Sequence, residues 1–327
     1  MDLKQETQKR ADFFNTQLDK FLLGGKPETL YNAARHLPTA GGKRLRPVLS
    51  MISCEAVKGD IIKVIPLSIA LELIHNFTLV HDDIMDKSKL RRGLKTVHIK
   101  YGEPTAIIAG DLLFTKAFES MHKTTGDLSI FKNVEYGLID CIREICEGQQ
   151  LDIDFEQRKN VTEDEYLEMI RKKTAVFFQY AAEAGALLGG STNEQANALN
   201  KYGLSLGLGF QIWDDYLDLS SDEKTLGKDI GNDIRNGKKT LIACHCINNA
   251  KGDDKKLLEQ IFGNLNATDE QIKQVFNLFK KIGSIEYAKE TATKYSEDAK
   301  KSLEILPETE AKKILINLAE YVIKRER

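Results

Sequence analysis

Residues 64–86 read VIPLSIALELIHNFTLVHDDIMD, and this stretch decides the fold. Its apolar run is interrupted at Glu72, His75 and Asn76, at one-turn spacings that put the polar groups on one stripe of a helix. The pattern predicts a buried helix over 62–86 whose end carries Asp82, Asp83 and Asp86. Similar helical patterns recur at 104–122, 127–157, 163–189, 194–220, 238–249, 269–282, 284–303 and 308–326, and no stretch shows convincing strand alternation. The breaks at 24–27, 38–42, 58–60, 189–191 and 251–253 are short turns rather than linkers. The expected fold is therefore all-α, with 1–327 as a single large helical domain. Residues 220–239, where glycines alternate with charges, are expected to form a mobile surface loop.

The composition agrees with long amphipathic helices: 42 % of the residues are apolar, 29 % are charged and only 6 are proline. Because 47 basic residues nearly balance 49 acidic ones, no global field recruits nucleic acid or an anionic membrane, and any charge-based function is local. Five scattered cysteines, at 54, 141, 146, 244 and 246, predict reduced thiols and a cytoplasmic setting. The pair Cys244 and Cys246 lacks metal-ligand spacing and reads as helix packing. Residues 1–10 are crowded with charge, so no signal peptide is expected. No run is expected to reach the roughly 18 apolar residues of a membrane span. The apolar stretch 311–323 fits either core or an interface.

A longer-range echo carries the chemistry. HDDIMD at 81–86 and WDDYLD at 213–218 share the pattern Asp-Asp-x-x-Asp, and each closes a long apolar helix. Asp82 and Asp86 lie one turn apart on one face, where like charges repel by about 0.2–0.5 kcal/mol per pair. The partial negative charge of a helix C-terminus makes the cluster less favourable still unless a cation is present. All-oxygen donors favour magnesium over zinc or copper. One such motif reads as a solvated acidic helix end; two on apolar helices point to magnesium ions held between facing clusters, with a diphosphate taking the remaining ligand positions. Basic groups supply the complement. GGKRLRP at 41–47 puts Lys43 and Arg46 three apart near a helix start, where backbone N–H groups also favour anions. Arg91 and Arg92 follow the first aspartates, and arginine suits bidentate oxyanion contacts. Each cation alone reads as a solvated surface charge.

From Gly41 to Thr240 the sequence resembles the trans (head-to-tail) prenyl diphosphate synthases. The likeness rests on GGKRLRP, both aspartate motifs, Arg91-Arg92-Gly93, Gly110-Asp111-Leu112-Leu113, Lys173-Thr174, Phe210-Gln211, Gly227-Lys228-Asp229 and Gly237-Lys238-x-Thr240. The resemblance implies an all-α bundle around a deep cavity, usually a homodimer, with isopentenyl diphosphate and allylic diphosphates as substrates. It implies that Lys43, Arg46, His75 and Arg92 bind isopentenyl diphosphate. Arg91, Lys173, Thr174, Gln211, Lys228 and Lys238 would hold the allylic diphosphate, and Lys173, Thr174, Gln211 and Lys228 are the expected catalytic residues. Asp82, Asp86 and Asp214 would ligate magnesium, three ions when diphosphate is bound, with Asp83, Asp215 and Asp218 behind them. The allylic C–O bond would ionise, the double bond of isopentenyl diphosphate would attack the cation, and proton loss to the departed diphosphate would complete the step. Water would quench that cation, which makes the 220–239 loop the expected lid.

In this family a bulky residue upstream of the first aspartates stops chain growth. Phe77 lies five residues before Asp82, about 7.5 Å along a helix, although an ideal wheel puts Thr78 rather than Phe77 on the Asp82 face. By the resemblance, an aromatic here is most like the archaeal-type geranylgeranyl diphosphate synthases, with farnesyl and geranylfarnesyl products as alternatives. Other classes compete. Glu72-x-x-His75 and Glu119-x-x-His122 have di-iron spacing, but a di-iron site leaves the aspartate clusters without a task. His81-Asp82 matches the dyad of a metal-dependent phosphohydrolase. The second cluster keeps a third aspartate at Asp218 instead of the Ser/Thr and Glu pattern that a class I terpene cyclase usually carries, and Lys43 with Arg46 implies a second diphosphate. Non-catalytic partner subunits have degraded aspartate motifs, whereas both are intact here.

Overall fold

The polar stripe and long apolar runs fold as helices throughout the computed structural model, which describes residues 2–220 and 230–325. Along the chain these are α1 (Leu3–Phe21), α2 (Glu28–His36), α3 (Leu45–Ala56), α4 (Ile65–Met85), α5 (Val97–Tyr101), α6 (Glu103–Met121), α7 (Leu128–Glu156), α8 (Glu163–Ile170), α9 (Val176–Leu188) and α10 (Asn193–Ser220). They continue as α11 (Ile230–Asn236), α12 (Leu241–Asn249), α13 (Gly252–Ile261), α14 (Asp269–Ile282), α15 (Ser284–Ser302) and α16 (Glu310–Val322). Helix starts follow local chemistry: Thr162 with Glu165 and Thr268 with Gln271 form reciprocal capping boxes that satisfy the first free N–H groups of α8 and α14.

The chain divides into two compact units. The first comprises Met1–Ile139, Tyr180–Leu199 and Ile305–Leu315. In it α4 packs against α6, α3 and α1, with Leu67, Leu71 and Ile74 fully buried. The second comprises Asp140–Gln179, Asn200–Glu304 and Ile316–Arg327. Its core gathers Tyr166, Ile212, Trp213, Leu241, Cys244 and Phe279, with α12 packed on α8, α14 and α15.

Several expectations need correction. The apolar stretch Ile61–Met85 is in fact long and apolar enough to cross a membrane, yet more than half of it is buried within the protein. Its polar groups are therefore met by protein partners rather than by lipid. A two-strand antiparallel hairpin, pairing Leu90 with Lys95 and Arg91 with Leu94, stands where no strand was expected. It is too short to show period-two patterning. The expected 163–189 helix runs unbroken over 163–188 but is not regular, because residues Arg171–Ala175 widen into a π-helical segment. Within the expected loop at 220–239, residues Ile230–Asn236 form α11 packed on α14, with Ile234 buried, while 221–229 lie outside the described residues. Helices α1, α2, α3, α5 and α13 were not among the expected helical stretches, although α2 is amphipathic and α3 carries the apolar run from Val48 to Cys54. The 311–323 stretch resolves as core: Ala311, Ile314, Leu315, Leu318, Ala319 and Val322 are buried.

Candidate active site

In the first unit, the turn before α3 is locked from below. Arg44 adopts a left-handed backbone (φ 50°) and is 5 % exposed. It donates to Asn15 Oδ1 at 2.9 Å, to the Pro38 carbonyl at 2.5 Å and to the buried Glu72 carboxylate of α4. Asn76 Nδ2 supplies Glu72 with a further hydrogen bond at 2.8 Å. The polar stripe of α4 is thus an anchor, since two buried charges are tolerable only when each is fully hydrogen-bonded. Above it, Arg92 (φ 54°) donates to the carbonyls of Gly41 and Leu37. Gly42, at φ 139°, lets that guanidinium in: a Cβ there would lie 3.0 Å from Arg92 Cζ. Arg46 Nη1 lies 3.4 Å from His75 Nδ1. Burial, reinforced by Arg46 and Arg92, holds His75 well below the usual imidazole pKa, so the neutral ring can accept from Arg46. Arg46, His75 and Arg92 are brought together as predicted, with exposed Lys43 on the same turn.

The aspartates ending α4 face different surroundings. Asp82 is half-buried and Asp86 exposed, whereas Asp83 is 1 % exposed. Arg91 Nε donates to Asp83 Oδ1 at 2.8 Å, while Asp83 Oδ2 finds no hydrogen-bond partner among the described residues. Burial raises the Asp83 pKa despite Arg91. Asp83 therefore ties down the hairpin that carries Arg91 and Arg92. Below the aspartates, Phe77 contacts His81 (ring centroids 4.8 Å) and Phe114 (5.3 Å), and Phe114 meets Phe118 at 5.3 Å. Phe77 is thus one rung of an aromatic ladder between α4 and α6, two rungs of which sequence reasoning missed.

In the second unit, Gly148 of α7 makes room for the π-turn: a Cβ on it would fall 2.3 Å from the Lys173 backbone nitrogen. Such turns re-aim side chains that a regular helix would place elsewhere. Lys173 Nζ meets Asp152 Oδ2 at 2.5 Å, and Thr174 Oγ1 donates to Gln211 Oε1 at 2.9 Å. Gln211 Nε2 in turn donates to Asp215 Oδ1 at 3.3 Å. Asp215, 5 % exposed, also accepts from the buried Tyr166 hydroxyl at 2.7 Å and pairs with Lys238 at 3.5 Å. The neighbouring Asp215 raises the Lys238 pKa, with Asp233 and Asp218 adding to it. Burial pushes Asp218 up to about 6. Arg325 Nη2 donates to Asp214 Oδ1 at 2.5 Å. Lys173, Thr174, Gln211, Lys238 and the second aspartates are accordingly neighbours within one unit; Lys228 lies outside the described residues. Tyr166, Asp152 and Arg325 were missed, and only Arg44, inside GGKRLRP, had a local signal.

The di-iron alternative finds no support in the described residues. Glu72 is paired with Arg44 and Glu119 with Lys116, and no three His, Cys, Asp or Glu side chains gather as a metal group.

A model of the polyprenyl synthetase family matches residues 27–279. The chain belongs to this family. It is 44 % identical over 327 residues to the geranylgeranyl diphosphate synthase of Methanosarcina mazei, covering 100 % of this chain and 99 % of that one. It is 39 % identical to the geranylfarnesyl diphosphate synthase of Natronomonas pharaonis, over 97 % of this chain and 96 % of that one. The crystal structure of geranylgeranyl pyrophosphate synthetase from Pyrococcus horikoshii superposes with a TM-score of 0.93 at 42 % identity, covering 99 % of this chain and 98 % of the other. For a polyprenyl synthetase the donor set suits magnesium: carboxylate oxygens at helix ends, too few at any one place to enclose an ion. Magnesium prefers such sites because it keeps several waters and takes one or two carboxylates plus phosphate oxygens.

Proposed function

We propose that this chain is a magnesium-dependent prenyltransferase that condenses allylic diphosphates with isopentenyl diphosphate and stops mainly at geranylgeranyl diphosphate. The observation that carries the reading is the end-to-end likeness to relatives named for that product. In it, Asp82, Asp86 and Asp214 would hold the magnesium, with three ions expected when diphosphate is bound. When bound, the metal supplies Lewis-acid stabilisation of the leaving diphosphate.

The protein's own groups do the rest. Arg46, Arg92 and Lys43 hold the isopentenyl diphosphate, with neutral His75 orienting Arg46. Arg91, Lys173, Lys238 and Lys228 neutralise the allylic diphosphate as its C–O bond breaks. Thr174 spends its proton on Gln211, so its oxygen lone pairs remain as a dipole that favours the allylic cation. The double bond of isopentenyl diphosphate attacks, and the released diphosphate takes the proton. The ladder Phe77, Phe114 and Phe118 gives an apolar wall that excludes water and limits chain growth. We further propose that 1–327 acts as one catalytic domain and that the enzyme works as a cytoplasmic homodimer; the expected lid at 220–239 is not carried over, because 230–236 is a helix packed on α14 and 221–229 lie outside the described residues.

The test is to incubate the purified protein with magnesium, labelled isopentenyl diphosphate and each of dimethylallyl, geranyl and farnesyl diphosphate, and to size the products. A dominant twenty-carbon diphosphate is expected. A twenty-five-carbon product would favour geranylfarnesyl diphosphate instead, and no elongation from any primer would overturn the prenyltransferase assignment. Phe77→Ala is expected to lengthen the product; an unchanged length would remove Phe77 as the stop.

A further inference from the structure

Arg325 stands just beyond α16, more than a hundred residues from the second aspartate motif, yet its side chain is 5 % exposed and committed to that motif. Nη2 donates to Asp214 Oδ1 at 2.5 Å and to the Phe210 carbonyl at 3.2 Å, while Nε donates to the Val322 carbonyl at 3.2 Å. The guanidinium lies 4.0 Å over the Phe210 ring, and Trp213 Nε1 donates to the Arg325 carbonyl at 3.1 Å. The guanidinium is therefore held at its edge by hydrogen bonds and on a face by the Phe210 ring, while Trp213 holds the residue's backbone. Asp214, in contrast, is 36 % exposed, so the accessible part of this ion pair belongs to the carboxylate.

We propose that Arg325 is a positioning residue of the metal site. By holding Oδ1 it limits how the Asp214 carboxylate can turn toward a divalent cation. This rests on the assignment of Asp214 as a magnesium ligand. A positive charge beside a metal ligand also opposes the cation, and the two effects have opposite signs on affinity. The guanidinium is shared with the Phe210 carbonyl and lies over its ring, which keeps it beside Asp214, and metal affinity measured with and without it reads which effect prevails. Hydrogen-bond partners of metal ligands typically contribute ten- to a hundredfold to metal affinity.

The experiment uses the full chain and two readouts. Binding of Mn2+ in the presence of inorganic diphosphate is followed by electron paramagnetic resonance, and the Mg2+ concentration for half-maximal turnover is measured separately. Arg325→Gln is expected to weaken Mn2+ binding and raise the Mg2+ midpoint about tenfold. Saturating Mg2+ should restore most of kcat, and KM for isopentenyl diphosphate should stay within about twofold of the parent. Arg325→Lys keeps the charge and the packed stem but loses the fork; it guards against a misfolded glutamine variant and should show the same shift, smaller. Unchanged or tighter metal binding in a folded variant would overturn the proposal. Failure of the parent protein to bind Mn2+ with diphosphate would instead overturn the metal-site assignment itself, and this proposal with it.

Discussion

The two Asp-Asp-x-x-Asp motifs are nearly identical on paper and differ in how their middle aspartates are used. Asp83 and Asp215 are both buried, at 1 % and 5 % exposed. Among the described residues Asp83 has one strong partner, Arg91, and leaves an oxygen without a hydrogen bond, whereas Asp215 collects Tyr166, Gln211 and Lys238. In each motif the middle carboxylate anchors a cation: the hairpin arginine in one unit, Lys238 in the other. The difference teaches that a repeated motif repeats its spacing and the burial of its middle aspartate, while the partners of that inward position adapt to whatever its unit packs against it.

The largest expected effect tests the shared part. Asp82→Ala and Asp214→Ala should each lower kcat by about a hundred- to a thousandfold, the scale of losing one electrostatic contact to a developing charge. A full-rate Asp214→Ala would mean that only the first motif serves the metal.

The next effect separates the middle aspartates. At Asp215 an amide would set an NH2 group against donors, so Asp215→Asn should cost about 3 kcal/mol of stability. Asp83→Asn keeps an acceptor for the half-exposed Arg91 and should cost about 1 kcal/mol. Urea titration of both variants measures the gap, and equal costs would erase the contrast.

The smallest effect is a pH slope. Asp218 titrates at about 6 in the native protein, above its ordinary 3.8, mainly because of burial. Between about pH 4 and 6 the native state therefore holds a proton that the unfolded chain has released, and stability falls as pH rises through that window. In metal-free buffer, Asp218→Asn should flatten the slope; an unaltered profile would place the titration elsewhere.

Much of this was legible locally. The helices at 65–85, 103–121, 128–156, 193–220, 269–282 and 284–302 follow the expected apolar stretches closely, and GGKRLRP announced a basic turn at a helix start. The failures share a cause, which is that the deciding partner lies far along the chain. Glu72 and His75 looked like a di-iron motif until Arg44 and Arg46 were seen to claim them. The widened turn at 171–175 left no mark in the periodicity, because its cause is the close approach of Gly148.

By itself the sequence determined that the protein is helical, where its polar stripes run and where acidic and basic clusters stand. Those properties depend on residues within a turn or two of one another. The tertiary structure alone decided which oxygens of Asp83, Asp214 and Asp215 are held by neighbouring side chains, which arginine is buried as a strut, and that Phe77 meets Phe114. Those pairings join groups 28, 37 and 111 residues apart. Their geometry is set by packing of whole helices, which no short-range pattern encodes.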